Sequence, residues 1–117
     1  MPDSHKNFSL SLVATAPSPA TSGTSLIVTA ADGAKFPTPP FNAVICPANT
    51  NPTTSNAEIV RVTAISTDTF TITRAQESSV ARTVVVGDQI YAAITGKTFT
   101  DIEVTMYNEL MLYSMMF

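Results

Sequence analysis

The side chains able to carry a reaction are few and scattered. His5 is the only histidine and sits in a polar terminus, so neither a histidine-centred base nor a multi-histidine metal site can be assembled. Asp101, Glu103 and Glu109 would hold a hard cation only if they converged, and their local order is that of helix capping and solvent exposure. Glu77 lies between Arg74 and Arg82, a grouping that suits carboxylate recognition or, more simply, surface or interchain ion pairs. The four glycines are dispersed and make no phosphate-cradling loop. Cys46 is the single cysteine, which excludes an intrachain disulfide and a multi-cysteine metal site and leaves a small buried hydrophobe as its simplest role. The chain therefore reads as non-enzymatic and without a cofactor or bound metal.

Charge excludes further classes. With a formal net charge of -3, the scattered Lys6, Lys35, Arg61, Arg74, Arg82 and Lys97 form no basic stripe, so nucleic acid is not an expected partner. The short apolar runs neither make a signal peptide nor span a bilayer. At 117 residues there is room for one small domain plus arms.

The elements that would position these residues are mostly strands. Threonine, serine and β-branched apolar residues recur throughout. Phe8, Leu10 and Leu12 alternate with Ser9, Ser11 and Val13, which predicts a first strand or an arm that pairs with a neighbouring chain; Ala16 to Pro19 ends it. The folded module begins near Ser22 and Gly23, with a strand over Thr24–Ala30, a turn at Asp32 and Gly33, a strand at Phe41–Cys46 and a polar loop over Pro47–Ser55. Ala57–Ile65 and Thr69–Thr73 predict a hairpin around Ser66 to Asp68, with Val60, Val62 and Ala64 on one face. Val84–Val86 and Gln89–Ile94 would flank a turn at Gly87 and Asp88. The expected fold is mainly β: a small antiparallel β-barrel or sandwich over residues 22–97, an extended N-terminal arm over 1–21 and a C-terminal apolar helix over 98–117.

That helix is the chain's least ordinary segment. Thr100 and Glu103 have the spacing of a capping box. Ile102, Met106, Leu110 and Tyr113 form one stripe, widened by Val104, Tyr107, Met111 and Leu112, and the chain closes on the uncharged run LMLYSMMF. Folding back over the barrel, packing against equivalent helices or a partner's groove, and lying on a membrane surface all remain open. Lack of Lys or Arg after Lys97 counts against the membrane. The candidate interface residues are Phe8, Leu10, Leu12, Met106, Leu110, Met111, Tyr113, Met115, Met116 and Phe117.

Ala57 to Ala64 (AEIVRVTA), Asp68 to Glu77 (DTFTITRAQE) and Ala81 with Arg82 resemble a module widespread in bacteriophage structural proteins, especially tail, fibre and baseplate-associated ones. The likeness spans about Val13 to Glu103; where such modules place a glycine after the run ending in Glu77, Ser78 and Ser79 stand here. It implies a virion component, a tail or fibre-associated adaptor forming a homo-oligomer, trimeric or higher, alongside other virion proteins, and it transfers no catalytic residue. The alternatives are a capsid decoration protein that stabilises the head and a carbohydrate-binding adhesion module, the latter weakly supported because Tyr91 is the only tyrosine in the β region.

Overall fold

The computed structural model describes the backbone of residues 3–116 and the side chains as far as Met111. Six antiparallel strands, β1 (Leu10–Thr15), β2 (Ser25–Val28), β3 (Phe41–Cys46), β4 (Glu58–Ser66), β5 (Thr69–Thr73) and β6 (Gln89–Ala92), close into a barrel in the order β1-β2-β5-β4-β3-β6. A helix, α1 (Gly96–Met116), follows. Alternation supplies the interior: Val13, Leu26, Val28, Phe41, Ala43, Ile45, Val60, Val62, Phe70, Ile72 and Ile90 meet in one apolar core. Cys46 is fully buried and unpaired.

Both barrel ends are plugged. At one, the 3₁₀ turn Asp32–Lys35 leads into Phe36, whose ring stacks on Phe41 and meets Phe70 edge-on, with centroids 6.1 and 4.8 Å apart. Gly33 is obligatory in this plug, since a Cβ there would sit 1.8 Å from the Thr67 carbonyl oxygen. Asp68 fastens the same turn by accepting the amides of Ala31 and Gly33 at 3.0 and 2.9 Å. At the other end Val84 is buried, and Arg74 and Glu58 form a bidentate pair with both contacts at 2.8 Å. The Ala75 and Arg82 amides complete the Glu58 carboxylate, and Arg74 also donates to the carbonyls of Ala20, Gly23 and Arg82. Burial works against the Glu58 charge, yet these hydrogen bonds outweigh it and hold the carboxyl below its usual range.

Several expectations are corrected. Of the two readings of the segment around Leu10 and Leu12, a first strand or part of an extended arm over 1–21, the strand is found: Leu10–Thr15 is hydrogen-bonded to β2 on one side and β6 on the other. Its interior face is Ser11 and Val13, with Leu10 and Leu12 turned outward, and Ser11 is accommodated by donating to Asp32 at 2.7 Å. The expected alternation in β4 fails at Ala64, because a bulge between Val62 and Ala64 shifts the register and turns Ile65 toward the core instead. Val84–Val86 is not a strand; Val84 serves as a plug while Val85 and Val86 face solvent.

Candidate functional site

The helix begins earlier than its sequence suggests. Thr100 lies inside α1 and its hydroxyl donates back to the Gly96 carbonyl, so the expected capping box with Glu103 does not form. Thr95 precedes the first turn instead, and the Thr98 hydroxyl accepts its amide at 3.3 Å. Glu77 completes the cap from outside the helix by accepting the Lys97 amide at 2.8 Å, a favourable position for a carboxylate at the positive end of the helix dipole.

Glu77 is one link in a polar chain along the outer wall of β3 and β4. Asn42 donates to Glu77 at 2.6 Å and accepts from Arg61 at 2.9 Å, and Arg61 grips Asp3 with two contacts of 3.0 Å. Burial opposes the Glu77 charge, but the Thr95 side chain, the Lys97 amide and Asn42 hold its carboxyl below the usual range. The Arg61 hydrogen bond does the same for Asp3 against its own burial. Glu77 therefore pairs with neither Arg74 nor Arg82, as the sequence had suggested; those arginines engage Glu58 and Asp88. Ala75, Glu77 and Ser78 take left-handed φ values of 51°, 53° and 63°, and the Ser79 hydroxyl ties the loop to the Ile59 backbone. Ser78 thus occupies a backbone conformation that favours glycine.

The orientation of α1 is inverted relative to an ordinary surface helix. Thr98 is buried and Lys97, Asp101 and Thr105 are half-buried on the side toward the barrel wall, where Asp101 adds to the field holding the Arg61 charge. Lys97 and Asp101 also pair with each other. The apolar side chains point away: Phe99, Ile102, Met106 and Leu110 make one ridge, and Val104, Tyr107 and Met111 a second. Met106, Tyr107 and Leu110 are each more than 60% exposed, at 63%, 61% and 67%. No strand packs along α1, and the molecule measures 56 × 29 × 23 Å because the helix projects from it.

Of the expected interface residues, Met106, Leu110 and Met111 are therefore exposed together on α1, and Phe99, not anticipated, joins them. Side chains of Tyr113, Met115, Met116 and Phe117 lie outside the described residues. Phe8 is 89% exposed, and Leu10 and Leu12 face outward from β1. Pairing of β1 with a neighbouring chain is corrected by closure of the sheet, which uses both of its edges within the barrel. Leu10 and Leu12 line a shallow cavity of about 410 Å³ with Thr29, Lys35 and Gln89, to which α1 contributes nothing. The structure thus separates the two expected apolar groups.

No family model matches this chain, and no curated protein matches it.

The described residues contain no group of three or more His, Cys, Asp or Glu side chains placed to hold a metal ion, and no helix long and apolar enough to cross a membrane. An apolar groove between Ile59, Val44, Pro52 and Val80, about 420 Å³ in volume, has Glu77 as its sole charged wall, already committed to Asn42 and α1.

Proposed function

We propose that this protein is an architectural component of a bacteriophage virion, a tail or fibre-associated adaptor that assembles through α1. The observation that carries the reading is the set of large apolar side chains, Phe99, Ile102, Val104, Met106, Tyr107, Leu110 and Met111, left exposed along α1. Burying them against other chains is favoured by the removal of apolar surface from water. The barrel suits repetition on a particle, since a closed sheet presents no free edge that would recruit neighbours indiscriminately. The likeness of residues 57–82 to phage structural modules supplies the virion setting.

Electron cryomicroscopy of phage particles containing this chain tests the proposal. Density for the barrel in the tail or at the fibre attachment region, with α1 buried against neighbours, is the expected result. Density spread over the head surface would establish a decoration protein instead, and absence of the chain from the particle would overturn the virion reading.

A further inference from the structure

We propose that residues 3–8 form a releasable strap that sets the direction of α1. While Asp3 occupies Arg61 the helix keeps its present seat; when the strap lifts, Arg61 takes Asp101 in place of Asp3 and draws α1 toward β4.

The strap is lightly held. Ser4 to Phe8 are exposed, and among the described residues its only backbone hydrogen bond is the local one from the Leu10 amide to the Phe8 carbonyl, 2.9 Å. Side chains fasten the rest. Asp3 meets Arg61, the Lys6 ammonium donates to the Ala34 carbonyl at 2.6 Å, and the buried Ser9 hydroxyl is shared between the carbonyls of Lys6 and Lys35. Phe8 joins the strap to β1 with a left-handed φ of 60°, a strained value for a residue with a Cβ, and its exposed ring offsets none of that strain by packing. Lifting the strap at Phe8 therefore breaks no strand pairing.

Arg61 has two carboxylates to choose between. Its Nη1 donates to Asp3 and Asn42 and its Nη2 to Asp3, so both ends of the fork are engaged. Asp101 makes no hydrogen bond to Arg61, yet it adds to the field that holds the Arg61 charge, while Lys97, its present partner, adds to the field on Asp3. Two cations and two anions thus face one another, each anion with one cation. His5, which also adds to the field on Asp3, leaves with the strap. Arg61 and Lys97 are then left with Asp101, since Glu77 is committed to Asn42 and the Lys97 amide. The planar guanidinium, able to grip both carboxylate oxygens, is the stronger of the two claimants.

The same exchange reaches the helix cap. Because Arg61 donates to the Asn42 oxygen, the Asn42 amide group must face Glu77; a flipped amide would set donor against donor and oxygen against carboxylate. Asn42 is buried, so solvent does not take over this role. When Arg61 turns to Asp101, Glu77 loses the support of an oriented Asn42 just where its other oxygen accepts the Lys97 amide. The first and second turns of α1 are released and re-seated together.

Double electron-electron resonance between nitroxides on Thr71→Cys and Asn108→Cys tests this, with the labelled protein diluted into excess unlabelled chain so that only distances within one molecule are read. Both positions are exposed, and Cys46 stays in place because it is fully buried. Asn108 lies about 18 Å along α1 from Gly96, so the change of seat in Asp3→Asn is expected to shift the mean distance by about 3 Å. Asp3→Glu keeps the carboxylate and should keep the original distance, as should Asp101→Asn, in which Asp3 still holds Arg61. Combining Asp3→Asn with Asp101→Asn removes both carboxylates and should cancel the shift. A distance unmoved or merely broadened in Asp3→Asn, or moved in Asp3→Glu or Asp101→Asn, would overturn the strap. A shift that survives the combined substitution would overturn the exchange of partners on which it rests. If labelling lowers the β-sheet circular dichroism, amide hydrogen exchange on unlabelled chains decides: loss of protection at Lys97 in Asp3→Asn but not in Asp3→Glu is expected, and protection equal to the wild type in both would overturn the proposal.

Discussion

The barrel and the helix solve the same problem in opposite ways. In the barrel, apolar side chains turn inward, and the charge that must be buried, Glu58, receives Arg74 and two backbone amides. In α1 the residues turned toward the protein, Lys97, Thr98, Asp101 and Thr105, are polar, and the large apolar side chains stand in solvent. The first region is covered by its own chain; the second, on the proposed reading, is covered by others. That reading assigns chain folding and assembly to separate residues, which makes them separable by mutation.

The sharpest way to break that division is at Glu58. Glu58→Gln leaves the Arg74 guanidinium buried without its counter-charge and should destabilise the barrel by about 3 to 5 kcal/mol, measured by urea denaturation. A loss below about 1 kcal/mol would mean that the barrel end tolerates an unpaired cation.

Glu77 sits on the border between the regions. Glu77→Ala removes the cap on α1 and should cost about 1 kcal/mol, appearing as faster amide hydrogen exchange at residues 96–99 with β-strand protection unchanged. Acid should act in the same direction. The carboxyls of Asp3, Glu58 and Glu77 are all held below their ordinary values of 3.8, 4.5 and 4.5, so their stabilisation is complete above those values and is lost as pH falls through the lowered ones. Denaturation midpoints measured from pH 7 to pH 2 should stay level until about pH 5 and then decline. A rise in stability across that acid range would reverse the assigned sign.

The smallest expected effect lies on the helix surface. Leu110→Ser should change barrel stability by no more than about 0.5 kcal/mol, because its side chain touches nothing that the barrel needs. The same substitution should lower the oligomer fraction in sedimentation. A barrel destabilised by several kcal/mol would show that α1 supports its own chain after all.

Legibility in the sequence followed the range of the interactions. Phe41–Cys46 and the hairpin of β4 and β5 were readable because alternation and a polar turn are local signals. The β4 bulge, closure of the sheet around β1 and the role of Val84 depend on partners distant along the chain, and periodicity carries no trace of them. Glu77 shows the same limit at the site: its neighbours in sequence suggested Arg74 and Arg82, whereas folding delivered Asn42 and the Lys97 amide. The breadth of the apolar helix face was legible, since residues on one helix share their geometry; its direction relative to the barrel was not.

The anchorage of α1 at one end also has a mechanical consequence. A 21-residue helix held only at its base is a lever about 31 Å long, so a tilt of roughly 10° at the Glu77 cap would displace the far end by about 5 Å. Small adjustments where Asp3, Arg61, Asn42 and Glu77 meet are therefore magnified at the tip, so the direction of the helix can change widely without deforming the barrel.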